Sequence, residues 1–370
     1  MTTVAHAELM SVGPDEVVVT FTSEPGERVV TRVGEREVTT EGPHHDARVR
    51  GLDPDTEYEL AVEGAVPDGR WLPPRVRTLA RPSGRLLATI ATANDVHFGE
   101  TECGKTGDPA TDAIGPVLRS EPGEPPYPEV MNGAVVDEML VLDPDVVVVK
   151  GDLTDTGRAE EYESFLSCYG RLGARLHHVR GNHDAMRDPQ LARQDAPYAI
   201  ALEGVTLAVL DTAVPGLVGG SLPVEQRAWL DDLAAATPDP VLVFAHHPAF
   251  NADARYGLAA DDHVALEDVF RRRENIVGYF AGHTHTNHVV REARDARGRG
   301  VPYVEVACTK DYPGAWAEYR VYEGGYTQVM RRVTAPAARA WSERARHMIQ
   351  GIYRDLVLGS IDDRCFTQPF

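Results

Sequence analysis

The sequence predicts an α/β core that follows a smaller all-β region. Two observations divide the 370 residues in this way. Apolar runs of strand length alternate with helical patterns over residues 86–281, which is typical of layered α/β domains. Residues 1–80 instead contain short alternating segments separated by turn signals rich in glycine and proline. A chain of this length accommodates about two domains.

The first region begins with a strand pattern. Val17, Val19 and Phe21 recur at every second position, as a strand buried on one face requires. Residues 52–58, which end in Tyr58, resemble the tyrosine corner of fibronectin type III sandwiches. We therefore expect a fibronectin type III-like β-sandwich over residues 1–80, with a proline- and glycine-rich linker around residues 81–84.

The second region contains apolar runs of strand length, and several of them are nearly continuous, as in strands buried on both faces. These runs cover residues 86–93, 146–149, 176–179, 205–210, 241–245 and 277–281. Helical patterns lie between many of them, at residues 130–142, 159–172, 224–236 and 263–274. Strands alternating with helices predict an α/β fold for a domain covering residues 81–334.

The last part of the chain predicts one amphipathic helix. Between residues 336 and 358, apolar side chains fall on a single helical stripe that includes Trp341, Met348, Ile352 and Leu356. An isolated helix of this length is marginally stable in water, so we expect it to dock on the preceding domain. Residues 335–370 are therefore predicted as a C-terminal helix and tail.

Composition restricts the functional classes. The chain has 37 basic and 57 acidic residues and a net charge of −20, which argues against a nucleic-acid binder and against binding to anionic membranes. No apolar run approaches the ~20 residues of a membrane span, and the N-terminus lacks the pattern of a signal peptide. Four widely spaced cysteines predict reduced thiols and a cytoplasmic protein. The oligomeric state stays open, and a homo-oligomer is compatible with the sequence.

Aspartate, asparagine or histidine residues closely follow five of the apolar runs. Ligands bind beyond the carboxyl ends of strands in open α/β sheets, so parallel strands would bring these residues to one edge. The residues expected to meet there are Asp95, His97, Asp152, Asn182, His246, His283 and His285. Carboxylate, imidazole and amide ligands without thiolate suit Mn, Fe or Zn. Because seven such groups exceed the needs of one ion, we expect two metal ions that share a carboxylate.

The order DxH, GDxxD, GNHD, a later His and GHxH resembles the calcineurin-like metallophosphoesterase family. The resemblance covers about residues 85–310 and implies two packed mixed sheets flanked by helices. It implies one metal held by Asp95, His97, Asp152 and His285, and a second held by Asp152, Asn182, His246 and His283. His246 is chosen over His247 because it comes first after its strand, as in similar sequences.

Two branches of the superfamily bear on the substrate. A β-sandwich before such a domain resembles purple acid phosphatases, but those have a tyrosine ligand where this chain has Asp155. We expect Asp155 to orient a ligand imidazole instead. The spacing and the GNHD form are more similar to bacterial cyclic-nucleotide and glycerol phosphodiesterases. We therefore expect hydrolysis of a small phosphodiester.

The expected mechanism is hydrolysis of a small-molecule phosphoester by a hydroxide that bridges the metals. Two divalent ions, the Asp95 and Asp152 carboxylates and the hydroxide leave a centre of net charge about +1, which attracts an anionic substrate despite the acidic surface. Asn182 is expected to stabilise the phosphoryl oxygens. His183 is the expected general acid, and Asp184 is expected to pair with its imidazolium.

Three alternatives remain at this point. The first is a phosphomonoesterase with the same metal centre, and the second is an inactive adaptor that kept the fold. The third is a nucleotide-binding P-loop, because Gly99, Gly104, Lys105 and Thr106 match its pattern. That motif needs a strand directly before it and a helix directly after it, whereas proline- and glycine-rich sequence follows here. We expect residues 99–130 to form a long loop beside the metals.

Overall fold

The computed structural model describes residues 4–105, 115–251, 253–294 and 300–370. Its N-terminal part consists of two antiparallel sheets. The strands are β1 (Ala5–Val12), β2 (Glu16–Thr22), β3 (Arg28–Val33), β4 (Arg36–Glu41), β5 (His44–Arg50), β6 (Glu57–Val62) and β7 (Arg75–Arg77). One sheet has the order β1-β2-β5 and the other has the order β4-β3-β6-β7.

The two N-terminal sheets share one apolar core. Val17, Val19 and Phe21 of β2 pack in it together with Val33 and Leu60 of the opposite sheet. The Tyr58 hydroxyl accepts a hydrogen bond of 2.8 Å from the backbone N–H of Asp53, five residues earlier. This contact is the one that defines a tyrosine corner.

The rest of the chain forms two mixed six-stranded sheets. The first has the order β10-β9-β8-β17-β18-β19, in which β8 (Leu86–Ala93), β9 (Val146–Lys150) and β10 (Leu176–Val179) are parallel. The strands β17 (Ala315–Tyr322), β18 (Gly325–Arg332) and β19 (Cys365–Pro369) continue it in antiparallel fashion.

The second sheet has the order β11-β12-β13-β14-β16-β15. Its parallel centre is formed by β12 (Val205–Val209), β13 (Val241–Phe244), β14 (Ile276–Ala281) and β16 (Gly300–Glu305). The antiparallel edges are β11 (Tyr198–Leu202) and β15 (His288–Arg294). Side chains from both sheets, such as Ile90 and Phe280, belong to one core, so the sheets pack face to face.

Helices flank these sheets, as the sequence predicts. The longer ones are α1 (Tyr127–Leu142), α2 (Ala159–Tyr169), α3 (Val224–Ala236), α4 (Ala260–Arg272) and α5 (Pro336–Ala345). The fold prediction, two packed mixed sheets flanked by helices behind an antiparallel β region, is confirmed. Among the helices of the described residues, none combines the length and the apolar character that crossing a bilayer requires.

Strand β2 differs from its predicted pattern because both of its faces are buried. The α/β part covers the second face through charged groups, and Arg331 forms an ion pair with Glu16. The Arg332 guanidinium donates to the Thr20 hydroxyl at 2.9 Å. On β1, the fully buried Glu8 accepts hydrogen bonds from Tyr312 at 2.9 Å and from Arg346. Paired charges therefore join the N-terminal sheets to the larger domain.

We expect these paired charges to make stability fall in acid. Burial would raise the pKa of the Glu16 carboxyl, but Arg331 and Arg48 lower it from 4.5 to about 2. Burial would likewise raise the pKa of Glu343, but Arg332 and Arg339 lower it to about 2. Carboxyls with depressed pKa values stabilise the folded state above pH about 4.5 and lose that contribution as the pH falls toward 2.

Urea unfolding at pH 7, 4 and 3 measures this loss. Replacing Glu16 by Gln should flatten the decline between pH 4.5 and 3. The matched control is Glu37→Gln, which removes a surface carboxylate that pairs only with the exposed Arg32 among the described contacts. A decline as steep in Glu16→Gln as in the control would contradict the assignment.

The prediction of a single C-terminal helix is wrong. Helix α5 ends at Ala345, and α6 (Tyr353–Val357) and α7 (Ile361–Arg364) are separate short helices. Ile349, Gln350 and Gly351 have φ values of 51°, 54° and 88°, which a continuous right-handed helix cannot contain. Trp341 and Met348 are buried as predicted, whereas Ile352 and Leu356 are exposed.

The chain after α7 returns to the core. Strand β19 is the edge strand next to β18, and the sequence analysis did not predict it. The Arg364 guanidinium donates to the backbone carbonyls of Leu9 and Met10 at 2.9 and 2.8 Å, so the last segment also holds β1. The predicted boundaries at residues 80 and 334 stay predictions.

Candidate metal centre

The ends of β9, β10 and β13 bring three predicted ligands into contact. The Nε2 atom of His246 lies 3.1 Å from the Asn182 Oδ1 atom and 3.3 Å from the Asp152 Oδ1 atom. The other ring nitrogen of His246, Nδ1, donates to the Lys150 carbonyl at 2.8 Å. Because that bond fixes the ring, Nε2 is the atom that faces the carboxylate.

The ends of β8 and β14 bring the remaining predicted ligands to the same place. The His285 Nε2 atom lies 3.6 Å from Asp95 Oδ1, and the His97 Nε2 atom lies 3.6 Å from Asp152 Oδ2. The His283 ring centroid is 5.0 Å from that of His246. Ligand atoms of Asp95, His97 and His285 lie within 4.8 Å of one another, and so do those of Asp95, Asp152 and His246. The structure thus brings all seven predicted side chains together.

Backbone strain is concentrated in these residues. Positive φ values are uncommon outside glycine and indicate a conformation that the surrounding structure must enforce. Five of the seven residues have them: Asp95 (51°), His97 (44°), Asp152 (49°), His283 (73°) and His285 (57°). Such strain is typical of functional sites, where it directs side chains toward a common point.

Two glycines permit the close approach of the strand ends. A Cβ atom at Gly282 would lie 2.6 Å from the Asp95 Oδ2 atom. A Cβ atom at Gly181 would collide with the Asp152 carboxylate. The glycines that precede the ligands therefore leave space for neighbouring carboxylates.

Two of the histidines carry buried nitrogens without partners. Neither ring nitrogen of His97 or of His283 has a hydrogen-bond partner among the described residues. Burial lowers the pKa of His97 well below 6.5 and that of His283 to about 3, so both rings are neutral. A buried ring nitrogen without a partner costs free energy, and a metal ion would supply a partner for the unprotonated nitrogen of each neutral ring. These residues therefore fit metal ions.

His246 and His247 differ in their free nitrogens. The His247 Nδ1 atom is 2.8 Å from the Thr212 hydroxyl, and its Nε2 atom donates to the Val218 carbonyl at 3.0 Å. Both nitrogens of His247 are thus occupied. His246 keeps one nitrogen directed at Asp152 and Asn182, which favours it as the ligand.

The structure places His183 at the site but corrects its predicted partner. Its backbone N–H donates to Asp152 Oδ1 at 3.0 Å, and its Nδ1 atom donates to the Asp155 carbonyl at 2.5 Å. The pairing with Asp184 is wrong. The Asp184 carboxylate is buried and accepts from the backbone N–H groups of Leu153, Thr154 and Gly181 at 3.1, 2.8 and 2.7 Å. It joins the loops after β9 and β10 and does not touch the His183 ring.

Asp155 lies beside a predicted ligand. Its Oδ1 atom is 3.8 Å from the His97 Nδ1 atom, on the side of the ring away from Asp152. Burial, with the Glu100 carboxylate nearby, raises the pKa of Asp155 to about 6. Its role in orienting His97 stays a prediction.

Supporting residues around the centre were missed from the sequence. The Asn94 side chain donates to Asp95 Oδ2 at 2.6 Å and to the Val306 carbonyl at 2.9 Å, which fixes the carboxylate. A buried ion pair joins Lys310 Nζ to Glu100 Oε1 at 2.7 Å. Asn94 was visible as a polar residue next to Asp95, but no spacing indicated that Glu100 meets Lys310.

The P-loop alternative lacks the strand that would directly precede its first glycine. Strand β8 ends at Ala93, before Asp95 and His97, and the first helix after it among the described residues begins at Tyr127. Lys105 is exposed and pairs with Glu102. Thr106 and the rest of residues 106–114, which belong to the predicted loop at 99–130, lie outside the described residues.

Comparisons with known proteins agree with the fold. The model of the calcineurin-like phosphoesterase family matches residues 88–287. A cAMP/cGMP dual specificity phosphodiesterase of Mycobacterium tuberculosis is 32% identical over 158 residues, covering 39% of this chain and 49% of that protein. A glycerophosphodiester phosphodiesterase of Enterobacter lignolyticus is 34% identical over 160 residues, covering 38% of this chain and 56% of that protein. The chain thus spans about half the length of these curated relatives.

A solved structure shows the same fold. A dimetal phosphatase from Danio rerio superposes with a TM-score of 0.52 at 17% sequence identity, covering 68% of this chain and 98% of that one. The fold and the cluster of carboxylates and imidazoles are those of a metal-dependent phosphoesterase. The chain belongs to the calcineurin-like phosphoesterase family.

Proposed function

We propose that this protein is a phosphodiesterase whose residues would hold two metal ions, Mn, Fe or Zn, with Asp152 as a shared ligand. The observation that carries the proposal is that the buried ring nitrogens of His97 and His283 have no partner among the described residues, in a cluster that also contains Asp95 and Asp152. In the proposed arrangement, Asp95, His97, Asp152 and His285 hold one ion. Asp152, Asn182, His246 and His283 hold the other.

Bound ions of this kind activate water near neutral pH and neutralise charge on phosphoryl oxygens. The residues around them would orient the ester. Asn182 would hold its ion through Oδ1, the atom that lies 3.1 Å from His246 Nε2, and would donate its amide N–H to a phosphoryl oxygen. His183 would protonate the leaving oxygen from Nε2, because its Nδ1–H is committed to the Asp155 carbonyl.

Small diesters are the proposed substrates, with cyclic nucleotides and related compounds first. The support comes from the curated relatives, whose names specify cAMP and cGMP or glycerophosphodiesters. The test compares kcat/KM for bis(4-nitrophenyl) phosphate with that for 4-nitrophenyl phosphate, followed by cAMP and glycerophosphocholine. A phosphodiesterase should prefer the diester. Faster hydrolysis of the monoester would assign a phosphomonoesterase instead.

Metal binding should also stabilise the fold. A ligand that binds only the folded state at 100 times its Kd contributes about 2.7 kcal/mol. We therefore expect Mn²⁺ or Zn²⁺ to raise the Tm of protein treated with a chelator, and His283→Ala to reduce the increase. The matched control is His177→Ala, which removes an imidazole from β10 outside the cluster. An unchanged Tm on addition of every candidate metal would contradict the proposed centre.

A further inference from the structure

Four apolar side chains are exposed on two loops that contact His283 and His247. Leu217, Val218, Phe250 and Tyr256 are between 41% and 59% exposed. Leu217 and Val218 lie on the loop between β12 and α3, and Phe250 and Tyr256 lie on the loop between β13 and α4. We call Leu217, Val218 and Tyr256 the apolar wall.

Backbone hydrogen bonds hold the two loops together. The Gly220 N–H donates to the Gly257 carbonyl at 3.0 Å, and the Ala259 N–H donates to the Gly220 carbonyl at 3.2 Å. The Leu258 N–H donates to the Pro248 carbonyl at 3.0 Å, which closes the second loop. These hydrogen bonds fix the positions of the two loops that carry the apolar wall.

The wall stands on the side of the centre occupied by His283 and His247. The Tyr256 ring centroid is 6.0 Å from that of His283. Val218 accepts the hydrogen bond from His247, whose ring centroid is 4.7 Å from that of His283. A phosphoryl group bound at the centre would place its organic substituent within reach of these side chains.

The opposite side of the centre has different chemistry. Asp155, Glu100 and Lys310 lie near His97, and Glu100 and Lys310 form a buried ion pair there. An ester bound at the centre would therefore have a charged surface on one side and an apolar surface on the other. The Arg255 guanidinium lies over the Tyr256 ring, 5.5 Å from its centroid, and forms an ion pair of 2.6 Å with Asp253.

We propose that the apolar wall binds a flat aromatic substituent of the substrate, with Tyr256 as the stacking residue. This inference rests on the proposed function and narrows its substrate class to esters that carry an aromatic ring, such as a nucleobase or an aryl group. Exposed aromatic rings beside a polar site gain free energy when a ligand ring covers them. A glycerol or choline substituent would gain little there.

Calorimetric binding of non-hydrolysable phosphonates to the metal-loaded protein tests the proposal. Phenylphosphonate should bind about threefold to tenfold more tightly than methylphosphonate, as expected for one aromatic contact. Tyr256→Ala should abolish the preference, and Tyr256→Phe should retain it. The control Leu356→Ala, an exposed residue on α6, should leave the preference unchanged. Inhibition by adenosine 5′-monophosphate compared with ribose 5-phosphate then distinguishes a nucleobase from a simple aryl group.

The outcomes separate this inference from the proposed function. Equal binding of the two phosphonates to the unaltered protein would overturn the apolar wall as a subsite while leaving the phosphodiesterase intact. A preference that survives in Tyr256→Ala would also overturn it. Binding of neither phosphonate, together with no diester hydrolysis, would overturn the proposed function and this inference with it.

Discussion

Asp152→Ala is expected to lose metal and activity together, with kcat/KM for a diester falling by at least about 10³-fold. Asp152 is the only residue assigned to both proposed ions, and its two oxygens face His246 and His97 at 3.3 and 3.6 Å. Charge stabilisation by bound metal is worth several kcal/mol, and each 1.4 kcal/mol is a factor of ten in rate. Metal analysis of the purified variant and steady-state kinetics measure the two losses.

Two further variants protect this prediction from a folding artefact. Asp152→Asn keeps the shape of the side chain and can still accept the hydrogen bond from the His183 N–H, so it should fold and yet bind less metal. Lys105→Ala removes only an exposed partner of Glu102 and should keep both metal and activity. Loss of turnover in Lys105→Ala with full activity in Asp152→Ala would favour the P-loop and refute the metal centre.

His183→Ala should lose about 10²–10⁴-fold with alkyl or ribosyl esters and clearly less with nitrophenyl esters. An alkoxide leaving group is strongly basic and needs a proton, whereas a nitrophenolate hardly needs one. His183 is held for this role by its backbone bond to Asp152 and its ring bond to the Asp155 carbonyl. A series of diesters with graded leaving-group basicity measures the difference.

The metal content of His183→Ala should stay that of the unaltered protein, since His183 is not among the proposed ligands. His177→Ala again serves as the matched histidine control. Equal losses along the whole ester series would make His183 a stabiliser of phosphoryl charge. Because Asp184 does not touch the ring, Asp184→Asn should not reproduce the leaving-group dependence.

Strand positions and the gathering of the site residues were largely predictable from the sequence. Buried parallel strands leave nearly continuous apolar runs, so the run at 86–93 has the bounds of β8 and the run at 146–149 omits only Lys150 of β9. Glycine and histidine directly after such runs, as at Gly282 and His283, indicated which residues meet. These signals are local, and the topology of parallel strands converts them into a common location.

Side-chain direction and long-range pairing were not predictable in this way. Asp184 is adjacent to His183, but in the turn its carboxylate folds back to the Gly181 N–H at 2.7 Å. The break in the C-terminal helix depends on left-handed backbone at Ile349 and Gln350, two residue types that rarely adopt it. In the sequence, only the neighbouring Gly351 is of a type that favours such a break. Glu8 meets Arg346 across 338 positions, and no periodicity encodes such a contact.

The contact between β1 and Arg364 joins segments that the ribosome synthesises at very different times. Leu9 and its partner Arg364 are 355 positions apart, so at about 5–20 residues per second the ribosome needs roughly 20–70 s to deliver the partner. For most of that interval, the face of β1 and β2 lacks Arg331, Arg346 and Arg364, its partners from the larger domain. Glu8, Glu16 and Thr20 on that face keep it hydrated and disfavour pairing with another nascent chain. The same carboxylates that later join the two parts thus act first as protection while translation continues.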